Sequence, residues 1–503
     1  MFHHTKPLNP AIASAKNSEL LVKILLFTLR VILLISQNTQ NIGDRMFWKD
    51  EVSTYLTSIL PLWEIPLDAA VTSGQMQPPI FYWIGHLVSY VGTDPITLRS
   101  ISVICYIFLL GFIIFNLREL HIASRFLLGF TLIIVPFAAY AAREFRPYAL
   151  AVVAILVSSV FLYRLLKHPS DRILAFKYGL SALLLQYSLT LNSYVFGVQM
   201  LFVSGYLLVS IKKEGMQEGI KNNRTIIFIS ALLCAQYIIF LYIISSNSPY
   251  YSSGSHIGFV EQLKGNSDTL FNALRIRSWV QVVILSLFAA GLVLGVFLYS
   301  WPVLYLVLIF VGQFMFSTYL TYASIDWFSQ RYLVASYVAF ALICALGAEI
   351  VFRRMGRRSP VVFSILLVLG PLYSGVVAYV SALDKQTFNP IIAVVEKLRC
   401  TNKMTIVLSV PRWISKVPWY AYRDDPSIKV PYDKNVDKVI ADGVKQRHCF
   451  ILQELKGHES SSVFDKLSEL PDYSKRKYST KPGVHVPDSA WLFIPVNTHL
   501  KQE

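Results

Sequence analysis

Charge is scarce in this chain. Asp, Glu, Lys and Arg make up 15% of its 503 residues, against 54% hydrophobic residues and a mean hydropathy of +0.50. Such a chain is too apolar for a soluble protein and too long for a single membrane span, which leaves a polytopic membrane protein. Cysteine is sparse as well. The five cysteines show neither CxxC nor Cys/His spacing, so neither a zinc site nor an iron–sulfur cluster is indicated. Cys105, Cys234 and Cys344 lie in apolar runs as core thiols. There is no glycine-rich loop of the kind that cradles phosphates, and no internal repeat of the kind expected of a transporter. Acidic residues are outnumbered, 30 to 46, giving a formal net charge of +16. Much of that excess sits in short loops between apolar runs, the positive-inside pattern of a membrane protein rather than a nucleic-acid surface.

What is present is a series of apolar runs marked off by arginines. The first, Leu20 to Ser36, resembles a signal peptide but is followed by Gln37-Asn38-Thr39-Gln40 and no small-residue cleavage site. It reads as an uncleaved span with its N-terminus inside. Arg30 falls near its middle, as a functional group or as a bundle-facing arginine with a partner. From Gln37 to Arg99 five prolines break the pattern, and Val52 to Leu60 and Ile80 to Tyr90 read as helices too short to cross, lying along the outer surface. Spans are predicted at 100–117, 126–142, 147–163, 173–191, 194–211, 225–244, 279–299, 303–322, 332–351 and 361–381, eleven with the first. This count puts Arg118, Arg125, Arg164, Lys167, Lys212, Lys213 and the run Arg353 to Arg358 inside, while Arg143, Arg146, Arg275, Arg277 and Arg331 fall outside. Outside arginines oppose the charge rule and require another reason. The Ser245 to Ser278 loop, rich in Ser, Tyr, Gly and Asn, is predicted on the same side.

Beyond residue 384 the composition changes. Asn389 to Arg399 and Lys434 to Gln446 read as helices, and Thr405 to Val410, Phe450 to Leu452 and Ala490 to Val496 as strands, together a small extracytoplasmic α/β domain over 384–503. Its bland role is a cap on the membrane domain, 1–383. Cys400 and Cys449 each lead into a strand from the same kind of connection. A disulfide between them and two separate buried thiols are the two readings.

Several runs carry a resemblance. These are Asp50-Glu51, then Gln77-Pro78-Pro79-Ile80-Phe81-Tyr82-Trp83, then Leu98-Arg99, then Arg143-Glu144-Phe145-Arg146-Pro147-Tyr148-Ala149-Leu150, with Gln330-Arg331-Tyr332-Leu333 later. In order, spacing and side they resemble the GT-C superfamily of polyprenyl-phosphate-sugar-dependent glycosyltransferases, in the branch of the protein O-mannosyltransferases and lipid A aminoarabinose transferases. The likeness is strong over about residues 40–170, looser through the later spans and weak beyond 384.

The resemblance implies a polytopic α-helical membrane fold with an active site on the extracytoplasmic side of a bacterial inner (plasma) membrane. It implies transfer of a hexose or pentose, with inversion, from a polyprenyl-phosphate donor to an envelope glycan, a lipid or a protein. Asp50 matches the family's catalytic aspartate, and Glu51 the acidic residue beside it. Arg143, Arg146 and Arg331 fall where cationic groups would meet the lipid phosphate, with Glu144, Tyr148 and Gln77 completing the substrate-binding set. Where many relatives have His before Pro-Pro this chain has Gln77, which hydrogen-bonds but does not titrate. No cofactor is implied with certainty, and a divalent metal is left open. The competing class is a transporter or flippase of an anionic lipid-linked substrate, for which Arg30 and the outside arginines would form an anion path. A structural scaffold is a third.

Overall fold

In a computed structural model of the chain, the described residues are 49–69, 77–134, 136–247, 279–298, 300–324, 330–355, 404–410, 427–429, 436–454, 467–470, 472–479 and 489–495, with parts of 24–32 and 261–270. They fall into two compact units. One comprises residues 1–40, 60–90 and 99–378, and the other 41–59, 91–98 and 379–503.

The first unit is a helical bundle. Its helices are α2 (Ile80–Ser89), α3 (Pro95–Asn116, whose first residues belong to the second unit), α4 (Ile122–Ile134), α5 (Pro136–Arg143), α6 (Tyr148–Lys167) and α7 (Arg172–Ser188). After a 3₁₀ turn, Thr190–Asn192, come α8 (Ser193–Glu214), α9 (Met216–Asn222), α10 (Arg224–Asn247), α11 (Trp279–Leu298), α12 (Ser300–Ser324) and α13 (Val334–Met355). In the second unit α1 (Lys49–Ser58) precedes them all. Among the described residues five helices are long and apolar enough to cross a membrane, and α9 with the start of α10 forms a further pair bent by 73°. The predicted spans from 100 to 351 each fall on one of these helices with one correction. The run 126–142 is two helices, because Pro136 has no N–H to donate and restricts the residue before it. The first span is helical where it is described, whereas Arg30, the span 361–381, the helix 389–399 and most of the 245–278 loop lie outside the described residues.

Local signals set the helix boundaries. Asp94 caps α3: its carboxylate accepts from Thr97 N at 3.0 Å and Thr97 Oγ1 at 2.6 Å, and Pro95 follows at the first helical position. Those bonds, the side-chain one first, hold the Asp94 carboxyl below its ordinary range. Within the apolar bundle, hydrogen bonds and small residues replace the hydrophobic effect as glue. Tyr178 donates to Gln199 Oε1 at 3.2 Å, Gln199 donates to Ser158 Oγ at 3.0 Å, and Ser159 Oγ and Tyr305 OH lie 2.8 Å apart, which brings α6, α7, α8 and α12 to one level. α11 and α13 cross on glycine. A Cβ on Gly347 would lie 1.9 Å from Leu287 O, and one on Gly291 would lie 2.1 Å from Ile343 O.

In the second unit the sheet has strand order β2-β1-β3-β5-β4, with β1 (Thr405–Val410), β2 (Ile428–Lys429), β3 (Cys449–Glu454), β4 (Tyr473–Ser479) and β5 (Ser489–Pro495). β1 runs parallel to β2 and β3, and β5 is antiparallel to β3 and β4. Helix α14 (Val436–Lys445) lays Val439 and Ile440 on Ile406, Leu408, Phe450 and Phe493, and Gly443 sits where a Cβ would meet Ile406 and Phe450. Alternate residues Val407, Ile451 and Leu492 are buried too, so both faces of the central strands are covered. The three predicted strands and the 434–446 helix are present, and β2 and β4 are additional. Cys449 is disulfide-bonded, while Cys105, Cys234 and Cys344 are free. Of the five cysteines that leaves Cys400, which lies outside the described residues.

Candidate functional site

The turn Arg143–Pro147 joins α5 to α6, and neighbouring elements grip it residue by residue. Ser102 of α3 donates to Glu144 O at 2.5 Å, and Phe145 packs on Phe81 of α2 with ring centroids 5.3 Å apart. Tyr148, at the start of α6, meets Phe137 edge-on at 6.5 Å, and Phe137 in turn meets Tyr337 of α13 at 5.2 Å. Held this way, Arg143, Glu144 and Arg146 are all buried, at 6%, 1% and 6% exposure. The Arg146 guanidinium lies 5.7 Å above the Tyr148 ring, a cation–π contact that fixes its plane. Burying two guanidinium groups is costly unless a specific arrangement compensates for it, so this turn is not a solvated loop.

The bundle has two unlike ends. At one, Arg164 grips Glu119 through Nε at 2.7 Å and Nη2 at 3.0 Å. There Glu349 of α13 accepts from His121 N and Arg353 Nε, each at 2.6 Å. Arg125 caps the end of α3 by donating to Ile114 O at 2.9 Å and Leu120 O at 2.8 Å. Arg118, Lys167, Arg172, Lys213 and Arg354 belong to the same end by helix direction. At the other lie the Arg143–Pro147 turn, the Thr190–Asn192 turn and the Gln330–Leu333 turn that leads into α13.

This second end is sunken. From the level of Tyr305, α12 runs on to Ser324, about 28 Å, whereas α6 begins only about 16 Å up, α7 ends about 15 Å up and α8 begins about 9 Å up. α13 begins nearly level with Gln313, which accepts from Ser336 N at 2.7 Å. Among the described residues the ends of these four helices thus form a floor, and α12 rises above it, as does α10, which meets Gln186 at Leu233 and runs on to Asn247.

The predicted residues distribute as follows. Arg143, Glu144, Arg146 and Tyr148 share the buried turn. Gln77 reaches the same end, accepting from Thr190 N at 3.3 Å. The Arg331 backbone belongs to the Gln330–Leu333 turn there, while its side chain lies outside the described residues. Asp50 and Glu51 belong to the second unit, in the first turn of α1 rather than in a loop. Asp50 is half-buried and Glu51 is wholly buried. His86 is buried, 3.1 Å from Tyr90 OH. Arg99 stands in the sequence only as part of the Leu98-Arg99 run, with no site role. It is fully buried in α3, one turn before Ser102 and hence on the face that meets the arginine turn. Among the described residues no group of three or more His, Cys, Asp or Glu is placed to hold a metal ion.

No protein-family model matches the sequence, and neither does any curated protein. Solved structures do match by fold. ArnT from Cupriavidus metallidurans bound to undecaprenyl phosphate superposes with a TM-score of 0.53 at 10% identity, covering 94% of this chain and 98% of that one. Its apo state gives 0.50 at 10% identity, covering 96% and 98%. The protein therefore has the ArnT fold, a multi-pass helical membrane domain followed by a small sheet, which is the fold that the resemblance to the GT-C superfamily implies.

Proposed function

We propose that the protein is an integral-membrane glycosyltransferase that moves a sugar from a polyprenyl-phosphate-linked donor to an acceptor on the extracytoplasmic side of the inner membrane. The observation that carries this reading is the fold shared with a protein solved with undecaprenyl phosphate bound, along 94% of this chain, taken with the paired buried arginines on the sunken floor. Asp50 takes the proton of the attacking hydroxyl or amine. The anomeric carbon–oxygen bond to the phosphate breaks as the new bond forms on the opposite face, and the lipid phosphate leaves. Arg143, Arg146 and Arg331 receive the charge that develops on it, each through a planar fork that is never neutral. Glu144 and Tyr148 keep that fork oriented, Glu51 supports the base, Gln77 hydrogen-bonds, and residues 384–503 form an extracytoplasmic domain.

Replacing Arg143, Arg146 or Arg331 by Lys keeps the charge and loses the fork. Each change is expected to weaken binding of a short polyprenyl phosphate by about tenfold or more, the value of one charged hydrogen bond of about 1.5 kcal/mol or more. Titration of the reconstituted protein with that lipid measures this, and unchanged affinity in all three variants would overturn the reading.

Sidedness is tested separately. In intact cells an impermeant maleimide is expected to label Glu64→Cys, beside the sunken end, and to spare Lys213→Cys at the basic end. The reverse pattern would invert the topology and remove the argument from outside arginines.

A further inference from the structure

The floor of the sunken end has two corners of unlike chemistry. One holds Arg143 and Arg146. The other, where α7 passes into α8 beside α10, is built from neutral polar groups. Tyr187 donates to Gln236 Oε1 at 2.6 Å, and Tyr237 donates to the Ser193 hydroxyl. Asn192 Nδ2 donates to Ser188 Oγ at 2.8 Å and to Leu185 O at 3.2 Å. The Tyr187 and Phe240 rings lie 5.1 Å apart, and Tyr237 meets Phe240 at 6.1 Å. The corner is not sealed, since Tyr187 and Ser193 remain half-exposed. Nor is it balanced: Asn192 is fully buried, yet its Oδ1 has no hydrogen-bond partner among the described residues. Glue between helices needs matched donors and acceptors, and a leftover buried acceptor is destabilising until a donor reaches it.

The chain leading into α2 links the two corners. Gln77 touches the neutral corner at Thr190, and Phe81, four residues on, touches the arginine turn at Phe145. Four residues of backbone span at most about 14 Å. In a glycosyl phosphate the sugar ring is joined to phosphorus through a single oxygen, so a phosphate at one corner brings its sugar toward the other.

We propose that the α7–α8 junction is the subsite for the sugar ring of the lipid-linked donor. The inference rests on the donor class given under Proposed function. A sugar hydroxyl donates to Asn192 Oδ1, others exchange hydrogen bonds with the Tyr187 phenol, and the ring faces the tyrosines.

The test compares two probes on the full-length protein in nanodiscs: a short polyprenyl phosphate, and the same lipid phosphate carrying a neutral hexose. Wild type is expected to bind the glycosylated probe more tightly. Asn192→Ala is expected to lower affinity for that probe about tenfold and leave the sugar-free probe unchanged. Tyr187→Phe, which keeps the packing of a half-exposed ring, is expected to act in the same direction. Equal weakening of both probes by both variants would make the corner helix glue and overturn the proposal, as would no effect on either probe. Failure of wild type to bind the sugar-free lipid phosphate at all would instead overturn the functional reading on which the proposal stands.

Discussion

Asp50→Asn is expected to lower the transfer rate about a thousandfold while leaving protein yield and donor binding near wild type. The substitution is isosteric, and it removes the negative charge and basicity on which the proposed proton transfer depends. A positioned general base contributes about 10²–10⁴ in rate. Single-turnover transfer measured with a saturating lipid-linked donor isolates that step from binding. A rate within a few-fold of wild type would remove Asp50 from the base role. A rate lost together with donor binding would make the residue structural. Glu51 gives a contrast: it is wholly buried in the first turn of α1, so Glu51→Gln is expected to disturb stability as well as rate.

The largest effect on folding is expected from Gly347→Ala. Most overpacking mutations cost about 1–3 kcal/mol because side chains can shift or turn. Here the added methyl would lie 1.9 Å from the Leu287 carbonyl oxygen and 2.9 Å from Gly291 N. Both are backbone atoms of α11, so no rotamer change relieves the contact and the two helices have to separate. The same crossing places Gly291 against Ile343 O and sets Cys344 Sγ 3.6 Å from Ile284 O. Separation therefore disturbs a whole seam rather than one contact. A cost above about 3 kcal/mol is expected, seen as loss of a monodisperse peak in fluorescence-detected size exclusion. Gly205→Ala, with nothing within 4 Å of the added carbon, is the control and is expected to behave as wild type. Equal melting temperatures for the two variants would show that the crossing is looser than described.

Much of the bundle was legible because hydropathy and arginine spacing record where the chain enters and leaves an apolar layer. The Arg143–Pro147 turn was legible too, as a charged break between two apolar runs. Other features left weaker traces. Arg99 looks like the polar boundary of an apolar run, and only Ser102, bonded to Glu144 O, reveals that its face meets the arginine turn. Strand β4 reads Tyr-Ser-Lys-Arg-Lys-Tyr-Ser and lacks the alternation that marks a half-buried strand, because it pairs only with β5 at the edge of the sheet. β2 is two residues long and below what any pattern can carry. The sunken floor left no trace at all. Hydropathy gives the length of each apolar run but not its vertical offset from the next, and that offset depends on side-chain bonds such as Ser159 to Tyr305 and Gln313 to Ser336.

The bond between Glu349 and His121 N joins residues 228 positions apart, and it bears on how the chain is made. During synthesis α4 enters the membrane long before α13 has been translated, so the backbone N–H at the head of α4 waits for its acceptor. The early helices are therefore inserted but not finished until α13 arrives and its carboxylate closes the α3–α4 loop. Ribosome-stalled or truncated chains ending before Glu349 should accumulate as inserted, protease-sensitive intermediates, and membrane quality control would see that loop as the open seam.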